Sequence, residues 1–218
     1  MNWLWANAGE VWALTLAHVA VALPSVALSL VLAVPLGWWA HRNRVARSVL
    51  LSGSGILYAL PSLPLFVMLP LLLGTRILDP INVVVALTLY GVALLLRTAT
   101  EAFDAVPPEV RANATAVGHS PLQRFWRVDA PLAGPAILAG LRVVSASTLS
   151  LVSVGALIGV RSLGSLFTDG YARGFPLEIG VGIAGTVLLA VAFDLALVAG
   201  GRLLMPWVRA TDVRGGRA

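Results

Sequence analysis

Between Val11 and His41 the chain carries no Asp, Glu, Lys or Arg, and the same is true from Ser48 to Thr75. A helix that crosses a bilayer needs about 20 mostly apolar residues, and in lipid its backbone groups must be satisfied within the segment. These stretches read as span one, roughly 14–39, and span two, roughly 50–74. Three more follow at roughly 81–99, 136–159 and 178–201, the last with Asp194 inside it. Charged residues make up 11% of the chain, against about 25% in soluble domains, so the shortfall is global. The expectation is an all-α membrane protein with about five transmembrane helices. Residues 1–13 are expected outside the membrane, 14–205 form the transmembrane domain, and 206–218 form a tail.

The arginines set the orientation. All 15 basic residues are Arg. Loop one carries Arg42, Arg44 and Arg47, and loop three carries Arg111, Arg124 and Arg127, flanked by Arg97 and Arg142. The tail region carries Arg202, Arg209, Arg214 and Arg217, whereas loops two and four hold only Arg76, Arg161 and Arg173. Basic loops stay in the cytoplasm, which predicts N-out/C-in. The first apolar run is too long, and lacks a basic lead, for a cleavable signal peptide. Trp3, Trp5, Trp12, Trp38, Trp39 and Trp207 fall at or beyond span ends, as interfacial anchors do.

Composition excludes several chemistries. Without lysine the chain has no P-loop and no Schiff-base nucleophile. Without cysteine it has no disulfide or thiolate ligand. His18, His41 and His119 stand far apart with no partner at metal-ligand spacing, so neither a metal site nor a catalytic residue is expected. The net charge of +5 belongs to loops beside apolar runs rather than to a nucleic-acid surface. Prolines enter the spans at Pro24, Pro35, Pro61, Pro64 and Pro70. Each removes a donor and favours a kink. Such kinks either bend spans one and two around a pathway or merely shape the bundle, and both readings stand. Tyr58, Pro61, Pro64 and Tyr90 are the candidate lining residues; Phe66 is the other aromatic expected deep in the membrane.

One polar insertion, Val106 to Pro131, interrupts the spans. Pro107 and Pro108 suit the first turn of a helix, and Glu109 suits its positive end. Val110, Ala114 and Val117 recur on one face, and Gly118 is a stop that accepts a left-handed cap. Ser120, Pro121 and Gln123 then spell a capping box with proline at the first helical position. Leu122, Phe125 and Trp126 follow on one face, with Arg124 and Arg127 on another, and Pro131 and Pro135 end the segment and begin span four. The expected result is two short helices at a tight elbow, neither stable alone. Their apolar face must lie on the membrane or in a groove of a partner.

An intramembrane carboxylate needs a partner. Asp194 is expected to pair with Arg142 or Arg97, forming a charge network at the inner ends of the helices.

The insertion also resembles a known family. Glu-Ala-Ala, three residues, Gly, nine residues, Ile-x-Leu-Pro marks the coupling loop of binding-protein-dependent ABC importer permeases. Here it falls on Ala112-Asn113-Ala114, Gly118 and Val128-Asp129-Ala130-Pro131, with spacing intact: Ala114, Gly118 and Pro131 match, whereas Ala112 (in place of the Glu), Asn113, Val128 and Ala130 depart. The segments Ala105 to Arg111, Ser120 to Val128, Pro135 to Val143, Leu60-Pro-Ser-Leu-Pro64, Ala156 to Gly159 and Leu163-Gly164 resemble the glycine betaine/choline/carnitine branch. The usual glycine-rich run after span four is interrupted by Val160-Arg161-Ser162. The resemblance implies a type I importer permease (MetI-like) fold, a second permease subunit, ABC ATPase subunits and an extracytoplasmic solute-binding protein. It implies that Ala112, Asn113, Ala114, Val117, Gly118, His119, Ser120, Pro121, Leu122, Phe125 and Trp126 meet the ATPase. No cofactor is expected in this chain; ATP and Mg would sit on the ATPase. The implied cargo is an osmoprotectant recognised mostly by the binding protein, since the spans offer few aromatics. Methionine or molybdate/tungstate is the alternative cargo. A non-transporting scaffold and an intramembrane enzyme are the readings from other classes.

Overall fold

The structure is a computed structural model and describes residues 2–76 and 78–207. Ten α-helices run in order: α1 (Asn2–Ala6), α2 (Ala8–Arg42), α3 (Arg44–Ala59), α4 (Ser62–Leu73), α5 (Pro80–Asp104), α6 (Pro108–Ala116), α7 (Pro121–Arg124), α8 (Ala130–Val154), α9 (Ser165–Ala172) and α10 (Pro176–Leu204). Among the described residues, α2, α5, α10 and the continuous helical rod Pro121–Ile158 are each long and apolar enough to cross a bilayer. Of the tail, residues 208–218, with Arg209, Arg214 and Arg217, lie outside the described residues.

The expected second span is not one helix. It divides into α3 and α4, bent by 107°, and only as a pair do these make a fifth crossing. Three facts explain the break. The residue before a proline is pushed out of the helical region, and Leu60 is extended at φ −66°, ψ 136°. Pro61 follows with φ −65°, ψ 136° and has no N–H to continue the ladder. The carbonyl of Leu60, freed by the break, is then caught by the Tyr90 hydroxyl at 2.5 Å. Pro64 sits in the first turn of α4, where its missing donor costs little.

The centre of the molecule is the crossing of α2 on α5 and α8. Small residues let the backbones approach, as in other membrane bundles. A Cβ on Gly37 would sit 2.7 Å from the Ala99 methyl. Two hydroxyls of α2 stitch the crossing to α5: Ser25 donates to the Val84 carbonyl and Ser29 to that of Thr88, each shared with the carbonyl four residues back on α2, while Thr88 bonds back to Val84 within α5. Serine and threonine can do this without leaving a donor unmet in an apolar medium. The packed layer includes Val21, Phe66, Leu87, Leu149 and Val152. By contrast α10 is almost unburied along its most apolar stretch, so its outer face is left for lipid or another chain.

Candidate functional site: the elbow between α5 and α8

The insertion folds as an elbow, with changes to its second half. Pro108 opens α6 and Glu109 sits in its first turn. Gly118 has φ +89°, a left-handed conformation that glycine adopts without the clash a Cβ creates. His119 N–H reaches back to the Ala114 carbonyl at 3.1 Å, closing the end of α6. The capping box forms in both directions: Gln123 N–H donates to Ser120 Oγ at 3.3 Å, and Ser120 N–H to Gln123 Oε1 at 2.9 Å.

Pro131 stands in the first turn of α8, as a proline that begins the fourth span should, but no break separates that span from the elbow's second helix. After the four residues of α7 the chain makes a π-helical turn, Phe125–Asp129, and passes directly into α8. In a regular helix the Pro131 ring would collide with the carbonyl four residues back; the wider turn just before it makes room. The elbow's second arm is thus the protruding end of a spanning rod. A short helix that could not hold itself together in water is held by being continuous with α8.

The π turn also divides the expected apolar faces. Phe125 points inward, 8% exposed, with ring centroids 5.0 Å from Trp38 and 6.0 Å from Phe103. It belongs to the core with Ala99, Ala133 and Ile137, and is a fulcrum rather than part of the outer face. Ala114 is likewise buried, whereas Val110 and Val117 are exposed. Leu122 and Trp126 remain on the outside, 63% and 67% exposed. Ala112, Asn113, Ser120 and Pro121 are also exposed, and His119 is half-buried.

A clamp fixes this elbow to the bundle. Asp129 is 1% exposed. Its Oδ1 accepts from Arg111 Nε at 2.8 Å, and its Oδ2 lies 3.7 Å from Arg124 Nε. Arg111 also donates through Nη2 to the Phe103 carbonyl at the end of α5. One guanidinium therefore ties α6 to the π turn and to α5. From the sequence, Arg111 reads as a topology signal and Arg124 as part of the elbow's polar face, and neither is expected to meet Asp129. Asp129 is the sole acid between Glu109 and Asp169, which was the one available hint. Beside the clamp, Asp104 accepts from His41 Nδ1 at 2.5 Å and from Arg47 Nη1 at 2.6 Å, tying the α2–α3 corner to the same end.

Of the expected charge network, the structure makes one pair. Arg142 grips Asp194 with two parallel bonds, Nε to Oδ1 at 2.5 Å and Nη2 to Oδ2 at 2.8 Å, a planar fork that lysine could not supply. Arg97 is not part of it. It lies on α5 at 3.8 Å from Glu101, one turn away, and is 65% exposed. Of the candidate lining residues, Tyr58 and Tyr90 meet edge to face at 6.1 Å beside the α3–α4 break. Pro61 and Pro64 are exposed. Tyr90 is 4% exposed and serves the break itself.

Residues 29–210 match the family described as "Binding-protein-dependent transport system inner membrane component". The chain is 30% identical to the osmoprotectant import permease protein OsmW of Salmonella typhimurium, over 90% of this chain and 93% of that one. It is 28% identical to the choline transport system permease protein OpuBB of Bacillus subtilis, over 94% of each. Its fold resembles a chain of the MetNI methionine ABC transporter solved in inward-facing conformations, with a TM-score of 0.71 over 95% of this chain and 98% of that one, at 18% identity.

Proposed function

The chain belongs to the family of binding-protein-dependent transport inner membrane components, and from that membership we propose that it is the permease subunit of an ATP-driven importer for small osmoprotectants such as glycine betaine, choline or carnitine. Relatives at 28–30% identity over nearly the whole chain are named for osmoprotectant and choline transport, and they support this cargo class. The likeness to the methionine transporter, at 18% identity, concerns the fold alone.

The observation that carries the coupling role is the elbow: exposed Val117, Leu122 and Trp126 on a segment clamped through Arg111 and Asp129 to the bundle. An apolar face presented on a rigid arm is suited to insertion into a groove. The occupant of choice is a separate ABC ATPase. This chain, with no lysine, has no P-loop of its own, so ATP and Mg would bind on the ATPase. When the ATPases close, force applied at Leu122 and Trp126 passes along the rod into α8, and through Arg111 into α5. The residues of α2, α5 and α8 then shift as packed bodies, which is how such a bundle alternates its opening.

In this reading the elbow and the tail face the cytoplasm, and the exposed face of α10 meets a second permease, identical or paralogous. Solute would arrive on an extracytoplasmic binding protein at the other end of the bundle. The test is uptake by the assembled complex of labelled glycine betaine, choline, methionine and molybdate in competition. The expected result is ATP-dependent uptake of a quaternary amine that methionine and molybdate do not inhibit. Uptake of either of those in its place refutes the cargo assignment.

A further inference from the structure

Between α3 and α5, on the elbow side of the α3–α4 break, lies a cavity of about 170 Å3. Among the described residues its wall holds one aromatic ring, Tyr58, one charge, Arg97, and no carboxylate. Arg97 stands seven residues inside the end of α5 at Asp104, about 10 Å along the helix. Side chains on a helix lean toward its N-terminus, so Arg97 leans away from that end and toward Tyr58. Ionisable residues within spans almost always face the bundle interior or a water-filled cavity. The ion-pair partner of Arg97 among the described residues is Glu101 at 3.8 Å, with side chains 65% and 62% exposed, a pairing worth little. A guanidinium carries five N–H donors in a planar fork, so Arg97 has donors to spare at the cavity wall.

At Tyr58 the cavity meets the break. Tyr90, which holds the Leu60 carbonyl, stands near the middle of the 25-residue α5, so the break lies at mid-membrane depth. In an unbroken helix the Tyr58 and Ala59 carbonyls would accept from the N–H groups of Ser62 and Leu63. Across the 107° bend neither bond is made among the described residues. Tyr58, Ala59, Leu60 and Pro61 are all exposed. Open backbone at this depth is tolerated only inside protein or against a water-filled cavity, and an exposed stretch is not inside the protein. The carbonyl end of a helix carries partial negative charge, and such ends of broken helices hold cations in transporters. Tyr58 adds a ring, 48% exposed, and aromatic faces attract quaternary ammonium groups. One end of the cavity therefore suits a cation, and the guanidinium at the other suits an anion.

We propose that this cavity is a transit subsite for a small zwitterion, a quaternary ammonium joined through a short chain to a carboxylate. Arg97 takes the carboxylate in a two-bond fork, and Tyr58 with the open carbonyls of α3 takes the ammonium. The subsite rests on the transport reading and narrows it. It makes Arg97 a specificity-determining residue that favours glycine betaine or carnitine over choline, which carries the same ammonium and no carboxylate.

The chain has no cysteine. Gly55 lines the cavity, and nothing lies within 4 Å of a Cβ built there, so Gly55→Cys places a single thiol on the wall without a clash. The full chain carrying it, in lipid nanodiscs, is treated with methyl methanethiosulfonate, which attacks only the thiolate that forms in water. The expected result is labelling that saturating glycine betaine slows by about tenfold or more and choline slows less. Adding Arg97→Gln is expected to remove the glycine betaine protection, and Arg97→Lys to restore part of it. In the assembled complex with Gly55 intact, Arg97→Gln is expected to lower glycine betaine uptake by about tenfold or more while choline uptake holds; a merely structural arginine would lower both. Tyr58→Leu, which leaves Arg97 in place, is expected to weaken protection by both solutes and tests the site where a thermal melt shows Arg97→Gln misfolded. Absence of labelling, labelling that glycine betaine does not slow, undiminished protection in a folded variant, or equal loss of both uptakes overturns the proposal. If the unaltered complex takes up no quaternary amine, the transport reading fails, and protection of the thiol in the chain alone still decides whether the cavity holds a zwitterion.

Discussion

Asp129 carries more of the elbow's geometry than any other side chain. It is 1% exposed, and its charge is acceptable there only because Arg111 and Arg124 face it. Removing one member of a buried pair leaves the other uncompensated, which costs about 3–5 kcal/mol. Asp129→Ala is therefore expected to destabilise the chain by about 3 kcal/mol, read as a lower melting temperature in detergent, and to free α6 from the π turn. Because Arg111 also holds the Phe103 carbonyl, Asp129→Asn, which keeps an acceptor, should cost distinctly less. Equal melting of Asp129→Ala and the unaltered chain would remove the clamp from the account. The neighbouring aromatic contact works differently: Phe125 is locked between Trp38 and Phe103 and supplies packing, with no charge to compensate.

At the scale of elements, the elbow's hinge is Gly118 and its lever is the rod that begins at Pro121. Valine is β-branched and strongly disfavoured at the φ of +89° that Gly118 adopts; left-handed backbone costs about 1–2 kcal/mol for residues with a Cβ. Nothing lies within 4 Å of a Cβ built at Gly118, so the penalty is conformational rather than steric. Gly118→Val is thus expected to leave the bundle folded while distorting the elbow, lowering the ratio of intact to distorted elbow by about five- to thirtyfold. In an assembled complex the expected reading is ATP hydrolysis that continues while uptake per ATP falls. Unchanged coupling would take the hinge away from Gly118.

The same elements show what a sequence makes legible. The Ser120–Gln123 capping box, the Pro108 start and the Gly118 stop were readable because each depends on neighbours within four residues. The Asp129 clamp was not, because Arg111 stands 18 residues away and meets it only after the chain turns. Pro131 reads as the boundary between the elbow and the fourth span, and it does stand in the first turn of α8, yet the π turn before it carries the helix through without a break. The three prolines of the second apolar run announced a kink. Its 107° size was not readable, nor was the partner of the carbonyl it opens, because Tyr90 stands 30 residues beyond Leu60. The Arg142–Asp194 pair was foreseeable from the rarity of charge in a span. Arg97 was the misplaced alternative, since a partner one turn away on its own helix lies in reach.

For the whole molecule, the two ends of the bundle have opposite characters. One end gathers the Arg111–Asp129 clamp, the His41–Asp104–Arg47 cluster and the exposed face of Leu122 and Trp126. The other gathers three carboxylates, Glu10, Asp169 and Glu178, around one cavity. The bias of arginine towards the first end predicts that it faces the cytoplasm. The chain contains no cysteine, so a single introduced thiol reports its own position without background. Val117, 76% exposed, lies on the elbow; Tyr171, 84% exposed, lies on α9 at the opposite end. Tyr171→Cys is expected to react with a membrane-impermeant maleimide on intact cells, and Val117→Cys only after the membrane is opened. The reverse pattern would turn the molecule over, placing the elbow outside and out of reach of any ATPase. Labelling of both sites on intact cells would contradict a fixed orientation. The experiment thus bears on the coupling proposal before any transport is measured, because an elbow that faces the wrong side has no source of ATP-driven force to transmit.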